Sequence, residues 1–123
     1  MKIAISSEGN NLESNADVKF GRCNFFLIVE IENEKIKGFK AIENTAKDQM
    51  GGAGITAGEI IAKEKVDAVI SANVGPRAFS IFKQFNIKVF HGEGEIKQAI
   101  QDLIDKKLEE INDATGPQHV GLK

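Results

Sequence analysis

Arg22 and Cys23 stand side by side in the stretch Phe20-Gly21-Arg22-Cys23-Asn24-Phe25-Phe26, at the exit of a long polar segment. A guanidinium offers a planar fork of donors suited to an anion, and a thiol offers a soft ligand or a nucleophile. Cys23 is the single cysteine, so no intrachain disulfide can form. Two readings of it stand open. It is either a buried residue that fills space, or a thiol whose pKa falls beside Arg22 and Lys19 so that it holds a metal. The other candidates are glycine-marked. Gly51-Gly52-Ala53-Gly54 and Asn73-Val74-Gly75-Pro76-Arg77 each run into a helical pattern. Helix starts present unpaired N–H groups and partial positive charge, which favour anions. Arg22, Gly52, Ala53, Gly54, Asn73, Gly75 and Arg77 are therefore the candidate anion-binding residues, and Cys23 the candidate metal ligand.

Other chemistries find less support. Gly52-Ala53-Gly54-Ile55-Thr56-Ala57 fits the pattern G-x-G-x-x-A, but a dinucleotide fingerprint needs a strand ending just before it. Lys47-Asp48-Gln49-Met50 stands there instead, and no acidic residue ends the next strand at Ile70-Ser71-Ala72. His91 and His119 each lack a partner at ligand spacing, and no H-x-x-H, C-x-x-C or Ser/His/Asp arrangement occurs. Glu93 and Glu95 suit a helix start rather than acid–base work. The expectation is a protein that is not an enzyme.

These residues need elements to position them. Residues 2–6 read as a first strand, 25–31 as a second and 35–42 as a third, the last two joined across Asn33-Glu34 as a tight hairpin. Gly38 in the third strand suggests a bulge or a close backbone approach. A helix follows over residues 53–65, then a buried strand over 66–71, a helix opened by Gly75-Pro76, a fifth strand over 87–90 and a last helix over 94–110. In that last helix Ile96, Ala99, Ile100, Leu103, Ile104, Leu108 and Ile111 share one face. Numbering the strands in chain order, the expected fold is α/β: a mixed five-stranded sheet, order 3-2-1-4-5, with strand 2 antiparallel and helices on both faces. Residues 1–111 form one domain and 112–123 a flexible tail.

This topology gathers the loop 6–23, the loop 44–54, residues 71–77 and residues 91–94 at one sheet edge, where three helix starts face the same way. A crevice is expected at the switch point beside strand 1. The implied ligand is anionic. Both the 7–19 segment and the loop at 47–54 hold too few apolar residues to pack themselves and are expected to move until a ligand stiffens them.

The bulk composition narrows the class. The chain has 123 residues, 41% hydrophobic and 28% charged, enough for one domain with a core. A net charge of −2 without any Lys/Arg run gives no case for nucleic acid. No apolar stretch approaches the roughly 18 residues of a membrane span, and the N-terminus lacks signal-peptide regions. A cytoplasmic location is expected.

Met1-Lys2-Ile3-Ala4-Ile5, Phe20-Gly21-Arg22 before Phe25-Phe26-Leu27-Ile28-Val29, Glu43-Asn44, Gly51-Gly52-Ala53-Gly54 and Ser71-Ala72-Asn73-Val74-Gly75-Pro76-Arg77-Ala78-Phe79 occur in this order. From residue 1 to about residue 108 the chain resembles the dinitrogenase iron–molybdenum cofactor biosynthesis family. The resemblance implies a ribonuclease H-like fold and a small protein that holds or ferries an anionic metal–sulfur cluster, containing molybdenum or iron, with cofactor-assembly proteins as partners. The orange protein of sulfate reducers, with a molybdenum–copper sulfide cluster, is similar. Many members carry His where this chain has Lys19, and a small apolar residue where it has Cys23. An alternative function is a regulatory or interaction module that binds a partner or a small anionic metabolite at the same edge. A ribonuclease H-like nuclease would need clustered carboxylates, for which Glu8 and Asp17 are poor substitutes.

Overall fold

The computed structural model describes residues 1–113, running β1 (Lys2–Ser7), β2 (Asn15–Ala16), β3 (Phe25–Glu32), β4 (Lys35–Glu43) and α1 (Ala53–Lys63). There follow β5 (Ala68–Ser71), α2 (Pro76–Gln84), β6 (Lys88–His91), β7 (Gly94–Glu95), α3 (Ile96–Ile104) and β8 (Glu110–Ile111). From Ile3 onward β1 is wholly buried, as a strand covered on both faces must be. Its neighbours are antiparallel β3 and parallel β5. The main path across the sheet is β4-β3-β1-β5-β6-β8, with β2 paired to β1 and β7 to β2.

The period-two alternation of β1 divides the core. Ala4 faces α1 and α2 with Phe26, Ile28, Val69, Phe79 and Phe82, whereas Ile3 and Ile5 face α3 with Leu27, Val29, Ile70 and Ile100. Helices thus cover both faces. Asn33 and Glu34 take φ of 53° and 63°, the double left-handed conformation of a two-residue hairpin turn. The register slips after the Glu30–Gly38 pair, so that Lys37 is the extra residue of a bulge beside the glycine.

Three expectations need correction. Among the described residues the sheet has eight strands, not five, because β2, β7 and β8 are two-residue strands made by tertiary pairing and too short to leave a periodic signal. The last helix stops at Ile104 instead of running to residue 110. Lys106 adopts φ 60°, its N–H donates to Leu103 O (3.0 Å), and Lys107 N–H donates to Asp102 O (2.8 Å). Those two bonds close the helix in a Schellman turn with lysine in the usual glycine position. The chain then reverses, and Ile111 packs on the α1–α2 side of the sheet, away from Ile96 and Ile100. Third, the polar segment 7–19 is not a bare loop. Asp17 N–H donates to Ser6 O (2.9 Å), Glu8 N–H to Asn15 O (3.0 Å), and Asn24 Nδ2 to Glu8 O (3.1 Å). The tail expected over 112–123 lies, from residue 114 on, outside the described residues, as does His119. No helix among the described residues is long and apolar enough to cross a membrane.

Candidate anion-binding site

Strands β1, β5 and β6 end at the edge where β3 begins, and a cavity of about 960 Å³ opens there. Its wall is built from three segments. One is the turn at 18–22, laid alongside Asn73 by a parallel bridge from Lys19 and by Phe20 N–H donating to Asn73 O (3.2 Å). Phe20 roots this turn in the core, its ring 5.0 Å from Phe26 and edge-on to Phe82 of α2 at 5.2 Å. The second segment is the start of α1, Gly52 to Gly54, and the third is residues 73–78, which lead into α2.

All seven anion-binding candidates line this cavity: Arg22, Gly52, Ala53, Gly54, Asn73, Gly75 and Arg77. The backbone explains the glycines. Gly52 caps α1 at φ 74°, a conformation other residues adopt only under strain. Gly21 passes so close to the start of α1 that a Cβ there would stand 3.3 Å from both N and Cα of Gly54. Side chains at Gly54 and Gly75 would meet nothing within 4 Å, so the glycines keep these walls as bare backbone.

Neither helix start is capped by a side chain, and neither has an acidic residue in its first turn. The first amides of α1 precede the first intrahelical bond, from Thr56 N–H to Gly52 O (3.0 Å). Lys19, Arg22 and Arg77 add three cationic side chains, and among the described residues the lining holds no Asp, Glu, His or Cys. The Arg77 side chain makes no hydrogen bond or ion pair among the described residues. Arg22 is partly committed: its Nη1 donates to Lys47 O and to Gln49 O, each at 2.8 Å.

The structure departs from two site expectations. The third helix start does not reach the cavity, because α3 lies on the other face and Ile96 N–H donates to Ser14 O (3.1 Å) in the β2–β7 pairing. Cys23 does not line the cavity either. It is 0% exposed within the α1–α2 core, with Sγ donating to Phe20 O (3.3 Å). Of the two readings of the thiol, its surroundings favour the buried, space-filling one over the metal-holding one. Burial pushes the thiol pKa from 9.0 up to about 12; a backbone hydrogen bond from Ser7 opposes the rise, and the Asp17 charge adds to it. His91 pairs with Glu93 (3.3 Å) away from the cavity, and no group of three or more His, Cys, Asp or Glu among the described residues is placed to hold a metal ion.

Sequence reasoning missed the lining by Val18, Lys19, Phe20, Gly21, Pro76 and Ala78, and it gave Asn44 no role at the site. Asn44 is wholly buried, and its Nδ2 donates to Gly21 O (3.1 Å) and Cys23 O (2.9 Å). A polar residue directly between a strand and a glycine-rich loop was the available signal. A second cavity, about 460 Å³, lies at the other end of the strands around Ile31, Phe90, Leu103 and Leu108 and contains none of the candidates.

A family model described as dinitrogenase iron-molybdenum cofactor matches residues 1–106. An uncharacterised protein of Methanocaldococcus jannaschii is 43% identical over 112 residues, covering 90% of this chain and 92% of the relative. A second protein of that organism is 30% identical over 113 residues, covering 91% and 95%. Among solved structures, the apo form of the orange protein from Desulfovibrio gigas is similar with a TM-score of 0.86 at 26% identity, covering 94% of this chain and 96% of that one.

Proposed function

Because this chain belongs to the dinitrogenase iron-molybdenum cofactor family, we propose that it binds and carries an anionic metal–sulfur cluster containing molybdenum or iron, and does no chemistry on it. The observation that carries this reading is the composition of one cavity wall: three cationic side chains and two uncapped helix starts, with no described carboxylate, thiol or imidazole among them. Such a wall offers N–H donors and charge. It recognises the outer sulfide or oxo ligands of a cluster whose metals are already fully ligated, and it offers a bare cation nothing. About 960 Å³ stands near the top of the ~300–1,000 Å³ range of ligand pockets, in keeping with a polynuclear cargo. The similar orange protein structure is described as an apo form, which implies a loaded form of that protein and supports one here.

The sheet order and the helices on both faces support a ribonuclease H-like reading of the architecture. A wall of donors suits a carrier better than a metal-dependent nuclease, whose metals must be held by carboxylates. Lys19, Arg22 and Arg77 are the cationic contacts, the amides at 53–54 and 77–78 the neutral ones, and Asn73 the side-chain amide. The partners of a cytoplasmic carrier are the proteins that assemble or receive the cluster.

Anaerobic equilibrium dialysis tests this. Tetrathiomolybdate should be retained at low salt, lost progressively as salt screens the three cations, and recovered with its absorption spectrum unchanged. Retention of zinc or copper ions alone, or no retention of the thioanion at low salt, would contradict the reading.

A further inference from the structure

The turn at 21–23 and the loop at 44–49 hold each other by their backbone carbonyls. Asn44 Nδ2 reaches across to the carbonyls of Gly21 (3.1 Å) and Cys23 (2.9 Å), on either side of Arg22. Arg22 Nη1 reaches back to the carbonyls of Lys47 and Gln49, both at 2.8 Å. Asn44 Oδ1 meanwhile accepts from Ala46 N–H (3.1 Å), and Lys47 Nζ donates to Asn24 Oδ1 (3.2 Å). The loop so gripped leads directly into Gly52, the cap of α1 and part of the cavity wall.

We propose that Asn44 and Arg22 form a clasp that positions the 46–52 loop as the lip of the cavity, and that Arg22 couples the order of this lip to an anion inside. The coupling half rests on the carrier reading above; the clasp itself does not. Asn44 is the positioning residue. It holds the carbonyls of Gly21 and Cys23, the residues before and after Arg22, and so fixes the backbone from which the guanidinium reaches out. Arg22 has the geometry for the link. One of its nitrogens is spent on the lip, while the side chain lines the cavity and a guanidinium carries further N–H donors at fixed angles to the first. An anion held by those donors immobilises the guanidinium, which in turn holds the carbonyls at 47 and 49. A lysine keeps the charge and cannot bridge both partners in that way. By linkage, whatever tightens the lip also tightens the anion.

Amide hydrogen exchange on the whole chain, with and without saturating tetrathiomolybdate, separates the two halves. Without the probe, Arg22→Lys and Asn44→Ser should each speed exchange over 46–52 while leaving β1 and β5 unchanged. Native rates over 46–52 in Arg22→Lys would overturn the clasp, and Arg22→Lys also guards against Asn44→Ser failing to fold. With the probe, exchange over 46–52 in the native chain should slow by about tenfold or more. Arg77→Gln, brought to saturation, should show the same slowing, and Arg22→Lys at saturation should not. Full slowing in saturated Arg22→Lys would overturn the coupling and leave the carrier reading intact. No binding of the probe by the native chain would sink that reading and the coupling with it, while the probe-free comparison still decides the clasp.

Discussion

Arg22 and Cys23 are neighbours in the chain and occupy opposite environments. Arg22 lines the cavity and binds the carbonyls of Lys47 and Gln49, while Cys23 is buried with its Sγ on the carbonyl of Phe20. The pair separates the two chemistries that the sequence sets side by side. The cation lines the cavity and the thiol lies in the core.

Cys23→Ser should therefore leave retention of a thioanion unchanged and lower stability by about 1–2 kcal/mol, the ordinary cost of placing a hydroxyl among apolar neighbours. Thermal unfolding and dialysis on the one variant check both halves. A loss of retention at unchanged stability would return Cys23 to the site.

The pH dependence of the same residue has a definite sign. Its folded pKa, about 12, lies above the ordinary 9.0, so above pH 9 the unfolded chain binds fewer protons than the folded one. The stability due to the neutral thiol is fully present below pH 9 and is lost as pH rises toward 12. The native chain minus Cys23→Ala should accordingly lose up to about 1.4 kcal/mol per pH unit in that window. A difference that stays flat from pH 8 to 11 would contradict the burial argument.

Gly54→Ala should uncouple stability from binding. The added methyl meets nothing within 4 Å in the protein and replaces glycine in the first turn of α1, which favours the helix by up to about 1 kcal/mol. It also projects where the anion would lie against bare backbone. Retention of tetrathiomolybdate should fall while the melting temperature holds or rises. At Gly52, with φ 74°, alanine should instead cost about 1 kcal/mol through backbone strain.

Arg77→Gln removes a cation that has no hydrogen bond or ion pair among the described residues, so stability should move by no more than about 0.5 kcal/mol. Anion affinity should fall by about tenfold, as removal of one charge contact worth about 1.4 kcal/mol implies. Dialysis across a salt series should also show a shallower dependence than in the native chain.

The residues around the larger cavity were more legible in the sequence than the edges of the fold. Seven residues scattered from 22 to 77 meet in one cavity because β1, β5 and β6 end, and β3 begins, at the same sheet edge, and the apolar runs give away those strands. The β2–β7 pairing left no such mark. Two residues cannot show a period, and Ser7↔Ala16 forms only once β1 is in place. The end of α3 misled for a related reason. Leu108 and Ile111 continue the helical spacing, yet Lys106 turns left-handed and sends them to opposite sides of the sheet. Cys23 shows the limit of reading charge by proximity in sequence. Lys19 and Arg22 stand close in the chain, but burial dominates the thiol. Asn44 was noted only as part of a motif and given no role, because its work is done on carbonyls 21 and 23, more than twenty residues away.

The most direct test is an amide NMR titration of the anaerobically purified chain with tetrathiomolybdate. The account predicts saturable shifts at Arg22, Gly52, Ala53, Gly54, Asn73 and Gly75, with little change at Phe90 and Leu103 around the smaller cavity. Shifts centred on Phe90 and Leu103, or no saturable shift anywhere, would contradict it.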